Sequence, residues 1–204
     1  NFAEVSTKYG CYLIHISTDF IFSGSKGAMY SEADYGCPLS VYGSSKLAGE
    51  SSIANIMDGN FSIIRTSWVY SKFGKNFVKT MLRLMSQKSQ LNVVSDQIGT
   101  PTWAHNLACV VWKVAERKLS GTFNYSDSGV ASWYDFAIEI HDLALELGLL
   151  ENKVDIKPIK CSQFKSAVQR PTQVILDKQR ITDELSLKEE SWKHSLKKML
   201  LEMV

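Results

Sequence analysis

An α/β domain, Rossmann-like, with a largely parallel sheet flanked by helices, is predicted by three observations. Short and nearly continuous apolar runs alternate along the chain with amphipathic stretches. Such runs are what strands buried on both faces of a parallel sheet look like. Helix caps and stops, mostly Ser, Gly and Asp-Gly, punctuate the alternation at the right places. Strand–helix alternation of this kind favours crossover connections and a parallel sheet over a sandwich or a bundle.

Each element follows in order. Phe2, Ala3 and Val5 put apolar side chains on one helical turn, and Gly10 stops it. Cys11 to Ile16 reads as a strand buried on both faces. The polar, Gly-containing stretch from Ser23 to Pro38 is too long for a tight turn and points to a functional loop. Ser40 to Met57 reads as helix, and Phe61 to Thr66 as the next buried strand, entered through Asp58-Gly59. Asn76 to Met85 carries Phe77, Met81, Leu82 and Met85 at core spacing. Leu91 to Val94 is a further strand. Thr102 to Glu116 reads as a long helix capped by Thr102, with Pro101 just ahead. Gly121 to Tyr125 is a strand, and Ser132 to Leu147 a helix capped by Ser132 and stopped by Gly148. Beyond Leu150 the texture changes: Val154, Ile156 and Ile159 suggest a short strand, Arg170-Pro171 a bend, and Trp192 to Met203 a last amphipathic helix. The expected division is a catalytic domain over residues 1–150, with lobe elements inserted, and a smaller substrate-binding lobe over 151–204.

Composition narrows the function classes. The 204 residues are 45% apolar and 22% charged, with a net charge of +2. That near-balance gives no footprint for nucleic acid and no polybasic membrane patch. No apolar run approaches the roughly 20 residues that a membrane span needs. Cys11, Cys37, Cys109 and Cys161 lie far apart, without metal-ligand spacing, and read as reduced thiols of a cytoplasmic protein. His15, His105, His141 and His194 do not cluster by spacing and read as structural, so no metal site is expected. Trp133-Tyr134 reads as packing. The chain opens on Asn1 with a helix already under way, and it is expected to begin inside a longer protein.

The chemistry concentrates in Tyr42-Gly43-Ser44-Ser45-Lys46. A spacing of four on a helix puts both side chains on one face, about 6 Å apart. A phenol is a poor acid–base catalyst at neutral pH, and an ammonium beside it favours the phenolate. Tyr and Lys at this spacing recur on many helices, so context has to decide. Upstream, a buried strand runs out in His15-Ile16-Ser17-Thr18-Asp19-Phe20. Hydroxyls at the C-terminal end of a parallel strand lie where open α/β sheets bind ligands. A strand-end Thr, a gap of 23 residues and a YxxxK pair at a helix start together say far more than any one alone.

At these residues the sequence resembles the extended short-chain dehydrogenases/reductases and, within them, the dTDP-4-dehydrorhamnose reductases. The resemblance runs over nearly the whole chain. It rests on STDFIFSG (17–24), the surroundings of Glu32 and Pro38, VYGSSKLAGE (41–50), RTSWVY (65–70) and NFVKTML (76–82). It continues through DQIGTPT (96–102), SWYDFA (132–137) and RPTQVILD (170–177). The resemblance implies that Thr18, Tyr42 and Lys46 form the catalytic triad of a reductase. In that reading Tyr42 protonates the C4 keto oxygen of a nucleotide sugar, Thr18 orients it, and Lys46 holds the nicotinamide ribose. Ser17 and Ser67 would join Tyr42 and Lys46 around the cofactor, NADPH or NADH. Asp19, Phe20, Trp68, Asn76, Gln97, Thr102 and Arg170 would serve the substrate. Arg170 suits the diphosphate, because a guanidinium holds phosphate oxygens bidentately. Mg2+ and a homodimer are compatible with this reading. Sugar-nucleotide 4,6-dehydratases carry Asp-Glu after the catalytic Thr, whereas Asp19 is followed here by Phe20, which favours reduction without elimination.

One part of the family pattern has no counterpart. No GxxGxxG turn occurs in these residues, although a pyrophosphate needs its amides and the helix behind them. The chain is therefore expected to hold roughly the C-terminal two thirds of such an enzyme, and to bind dinucleotide weakly by itself. Two other readings share the motifs: a non-catalytic subunit like the regulatory subunit of methionine adenosyltransferase, and a sibling sugar-nucleotide reductase or epimerase.

Overall fold

The computed structural model describes residues 1–166 and 168–204. In chain order the elements are α1 (Phe2–Tyr9), β1 (Leu13–Thr18), α2 (Val41–Ile56), β2 (Phe61–Thr66), β3 (Val69–Tyr70), α3 (Phe77–Met85), β4 (Gln90–Val94) and β5 (Ile98–Gly99). They continue with β6 (Thr102–Trp103), α4 (Ala104–Arg117), β7 (Gly121–Asn124), β8 (Ala131–Ser132), α5 (Trp133–Glu146), β9 (Asp155–Ile159), α6 (Gln179–Leu185) and α7 (Trp192–Leu201). The α/β class with a parallel sheet flanked by helices is thus what forms.

The expected boundary near residue 150 does not form. The chain divides into two compact units, and each takes pieces from three parts of the sequence. The first is Asn1–Ser67, Asn106–Ser126 and Val168–Lys188; the second is Trp68–His105, Asp127–Ala167 and Glu189–Val204. The reason is physical: a unit is defined by which faces bury one another, and contacts between distant segments leave no local mark in composition.

In the first unit β1, β2 and β7 form a parallel sheet in the order β1-β2-β7, with Thr18 opposite Thr66. β2 lies in the middle, and all its residues are buried. Side chains of a strand alternate between faces. Accordingly Leu13, Phe61 and Ile63 pack with Ala3, Ile53 and Met57 of α1 and α2. Ile14, Ile64 and Phe123 pack on the other face with Val110 and Val114 of α4 and Ile181 of α6. β1 departs from expectation. It starts two residues later than predicted and, among the described residues, pairs only with β2, so Ile16 is exposed rather than buried. Phe2 and Val5 of α1 are likewise exposed, while Ala3 and Ser6 are buried.

The polar stretch after β1 is a loop fastened at both ends of its length. Lys26 Nζ bonds the Asp34 carboxylate, which also accepts from the Ser31 amide and hydroxyl. The segment after Arg170 docks on this loop: Tyr30 and Leu176 form a parallel bridge, and the Thr172 hydroxyl donates to the Gly24 carbonyl at 3.1 Å. Gly24 has φ of 79°, and a Cβ there would meet the Thr172 amide nitrogen at 2.7 Å. This segment therefore belongs to the first unit, not to a separate terminal lobe.

The second unit is built around α3, α5 and α7. Phe136, Ala137 and Ile140 of α5 are fully buried against Val78, Met81, Leu196 and Met199. Ser132 caps α5 in a reciprocal box with Asp135, as expected of a Ser three residues before an acid. β4 and β9 pair in parallel, β3 pairs with β6 in parallel, and β5 with β8 antiparallel. Residues 102 and 103 are a strand, not the start of a helix; α4 begins at Ala104. The Trp103 amide donates to the Asp127 carboxylate at 3.0 Å. No helix among the described residues is long and apolar enough to cross a membrane.

Candidate active site

In the first unit, the end of β1 and the start of α2 are pressed together by small residues. Thr18 closes the strand and caps a short turn over Asp19–Ile21: its hydroxyl oxygen accepts from the Phe20 amide at 3.2 Å and donates to the Asp19 carboxylate at 3.1 Å. Ser40 caps α2 through the Gly43 amide. Gly43 then allows the contact itself. A Cβ at that position would stand 2.2 Å from the Phe20 carbonyl oxygen. The YxxxK helix can touch the strand-end turn because the residue after the tyrosine carries no side chain.

Tyr42 sits in the first turn of α2, half exposed, with its ring in edge contact with Phe20 at 5.7 Å between centroids. Its hydroxyl has no hydrogen-bond partner among the described residues. One turn along the same face, Lys46 reaches back to β1. Its ammonium donates to the Ile16 carbonyl at 2.6 Å and lies 3.3 Å from His15 Nε2. His15 was expected to be structural; the signal for its place beside Lys46 is a polar residue in an apolar strand run, two before Ser17 and on the same face.

Asp19 is buried, and burial pushes its carboxyl up to about 7 despite the Thr18 and backbone hydrogen bonds that favour the carboxylate. Ser17 is buried with no partner for its hydroxyl. The same holds for Thr66, the β2 residue opposite Thr18 and another that sequence reasoning missed. Ser67 follows directly and is buried. Unspent hydroxyls in the interior cost free energy unless something meets them. Two of them here stand at the C-terminal ends of adjacent parallel strands, the edge at which open α/β sheets take ligands.

A second polar group ties this region together. Arg65 of β2 makes a two-pronged ion pair with Glu50 of α2, at 2.8 to 3.1 Å, with both side chains buried. Arg65 also donates to the Glu32 carbonyl, and the Glu32 carboxylate accepts the Asn124 amide of β7 at 2.9 Å. The loop, α2, β2 and β7 are thereby pinned to one another. Arg170 is exposed, in the segment docked on the same loop.

The remaining expected residues lie in the second unit. Trp68 is partly buried, stacked on Trp133 with centroids 3.6 Å apart and planes 7° from parallel. Its backbone has φ of 45°, uncommon for a bulky residue and found at sites where surrounding structure enforces it. Gly99 lies against the indole, where a Cβ would come within 2.7 Å. Gln97 is partly buried in the connection before β5. Asn76 is spent on structure: its oxygen caps α3 through the Lys79 amide, and its nitrogen donates to the Ser71 and Phe73 carbonyls. Thr102 is no helix cap; it lies in β6, its amide donates to the Trp68 carbonyl, and its hydroxyl is buried without a partner.

The nicotinamide-ribose end of a dinucleotide finds groups to meet at the first unit's strand ends: an orphaned Ser17 hydroxyl, an unpartnered Tyr42 phenol and a lysine with an N–H to spare. No group of three or more His, Cys, Asp or Glu side chains able to hold a metal ion occurs among the described residues.

Comparison with known proteins agrees in kind. The family model described as RmlD substrate binding domain matches residues 1–204. A dTDP-4-dehydrorhamnose reductase from Aggregatibacter actinomycetemcomitans is 36% identical over 201 residues, covering 96% of this chain and 68% of that protein. The crystal structure of a dTDP-4-dehydrorhamnose reductase from Bacillus anthracis in complex with NADP is 34% identical, with a TM-score of 0.91 over 99% of this chain and 69% of that one. The ortholog from Clostridium acetobutylicum is 36% identical, with a TM-score of 0.90 over 98% and 69%.

Proposed function

The chain belongs to the RmlD substrate-binding-domain family, and from that premise we propose that it serves an NADPH-dependent reduction of the C4 keto group of a dTDP-4-keto-6-deoxysugar, with Tyr42 as the proton donor. The observation that carries this reading is the seat of Lys46. Its ammonium lies 2.6 Å from the Ile16 carbonyl, two residues before Thr18, so the Tyr–Lys face of α2 is laid against the strand end that carries the threonine. Bound at these strand ends, the reduced nicotinamide supplies the hydride. Tyr42, with no competing partner, gives its proton to the keto oxygen. Lys46 binds the nicotinamide ribose and stabilises the phenolate left behind, by charge at short range.

Thr18 orients the same oxygen. Its hydroxyl now donates to Asp19 at 3.1 Å. A sugar hydroxyl donated to Asp19 takes over that bond and frees the Thr18 proton for the carbonyl. Phe20 packs its ring on Tyr42 and offers no carboxylate where an eliminating enzyme needs a base. Ser17 and Ser67 border the cofactor, while Trp68 and Gln97 serve the sugar nucleotide and Arg170 its diphosphate. The choice of NADPH is supported by the Bacillus anthracis relative, whose structure is a complex with NADP.

The test is NADPH oxidation by the intact protein supplied with dTDP-4-dehydrorhamnose. Turnover is expected, and Tyr42→Phe should lower kcat by about two to four orders of magnitude, the usual scale for acid–base groups, while NADPH still binds. Turnover retained within a few-fold in Tyr42→Phe removes the phenol from the mechanism. Absence of any turnover by the wild type removes the reductase reading.

A further inference from the structure

We propose that His15 is a positioning residue: as a neutral imidazole it accepts a hydrogen bond from the Lys46 ammonium and, with the Ile16 carbonyl, fixes two of that group's three N–H donors, leaving the third for the phenol or the ribose. This rests on the role given to Lys46 above. The obvious anchor for a lysine in this place is Glu50, one turn along α2. Glu50 is not available, because both its oxygens are held by Arg65 at 2.8 to 3.1 Å. Among the described residues Lys46 makes no ion pair. Its position comes from two uncharged acceptors instead.

That choice has a chemical consequence. A carboxylate on Lys46 would offset the positive charge that stabilises a phenolate four residues away; a carbonyl and a neutral imidazole hold the cation in place and leave its field intact. The imidazole can do this only when unprotonated. With Nε2 as acceptor, the ring carries its proton on Nδ1. Protonation turns the acceptor into a donor and sets a second positive charge 3.3 Å from the first. The charged groups facing His15 are Lys46 and Glu50, both from α2. On β2 its register neighbour is the apolar Ile63, and the next charged residue on that face, Arg65, is engaged by Glu50. Burial first, and Lys46 second, hold the imidazole below the ordinary histidine value, with Glu50 opposing. The anchor is therefore intact at neutral pH and comes apart on the acid side.

Two measurements on the intact protein test this. In an NMR titration of the His15 ring, Lys46→Met should raise the imidazole pKa, because the opposing charge is gone; an unmoved titration overturns the pairing. NADPH affinity, followed by fluorescence from pH 5 to 8, should weaken about tenfold in His15→Leu at pH 7.5, the scale of one hydrogen bond to a charged group. His15→Gln keeps an uncharged acceptor and should restore most of that loss. It should also lack the acid-side weakening that the wild type shows. Superimposable acid limbs in wild type and His15→Gln, or a His15→Leu affinity within twofold of wild type, overturn the proposal. If Lys46→Met binds NADPH as the wild type does, the role of Lys46 falls and His15 falls with it. A normal Lys46→Met loss with an unmoved His15 titration removes His15 alone.

Discussion

The two ends of α2 use lysine and glutamate in opposite ways. Toward its C-terminal half, Glu50 is saturated: two prongs from Arg65, both partners buried, and further bonds from Arg65 and Glu32 that reach the loop and β7. Toward its N-terminal half, Tyr42 has a phenol without a partner, and Lys46 rests on neutral acceptors with an N–H left over. Both ends lie within the one stretch VYGSSKLAGE. Saturation marks the residues that hold the helix in place; unspent hydrogen-bonding capacity marks those that wait for a ligand. A motif read as one block in the sequence is two devices in the molecule.

The largest effect should come from breaking the saturated end. Glu50→Ala leaves the Arg65 guanidinium buried without its counter-charge, and removal of one partner of such a pair costs about 3–5 kcal/mol. Urea denaturation should show that loss, whereas NADPH affinity of the fraction that remains folded should be near that of the wild type. A variant of wild-type stability with impaired NADPH binding would reverse the assignment of the two ends.

Asp19 lies in the turn that meets the open end of α2, and its contribution depends on pH. Its carboxyl is pushed from the usual carboxylate range up to about 7 by burial. The folded state therefore holds a proton, between about pH 4 and pH 7, that the unfolded chain has released. Stability from this group is fully present below the unfolded value and is lost as pH rises through about 7, by up to about 4 kcal/mol at the conversion of 1.36 kcal/mol per pKa unit. Asp19→Asn should remove that slope. Denaturation midpoints collected from pH 4 to pH 8 should fall for the wild type relative to the variant; parallel curves would show that Asp19 ionises freely in the folded protein.

The sequence made the alternation, and therefore the sheet, legible, because buried strands and capped helices have local signatures. Ser132, Gly10 and Gly148 stand where caps and stops were read, and Ser40, read as the first helical residue, is the cap just ahead of α2. The strand-end position of Thr18 and the shared helix face of Tyr42 and Lys46 were legible too, since a spacing of four on a helix and a strand end define their own geometry. What stayed hidden depends on partners far away in the chain. β6 is a strand because two residues pair with β3, a contact too short to show in any pattern. The cap that Asn76 makes on α3 did not show, because it is fixed by the Lys79 amide behind it. Glu50 finds Arg65, and Lys46 finds His15, only after α2 has folded back onto the sheet. The assembly of each unit from three separate stretches of sequence is of the same kind.

The finest test of the comparison is Gly43→Ala, which touches the open end of α2 and leaves the saturated end alone. Alanine is the better helix former by about 1 kcal/mol, so an unconstrained helix would gain stability. Here the new methyl carbon would fall 2.2 Å from the Phe20 carbonyl oxygen and 2.9 Å from the Pro38 side chain, and Phe20 is backbone that cannot swing aside. Either the first turn of α2 or the Asp19–Ile21 turn must shift, at a cost of about 1–3 kcal/mol for overpacking, partly offset by the helical gain. The net stability change should then be about 1 kcal/mol. The same shift moves the turn capped by Thr18 away from the first turn of α2, which carries Tyr42. A displacement of about 1 Å at a reacting centre can cost about 100-fold in rate, so kcat should fall far more than stability does. Thermal melts and steady-state kinetics on the one variant give both numbers. A kcat close to wild type with an unchanged melt would mean that the turn yields freely, and that its close approach to α2 is not what the glycine is for.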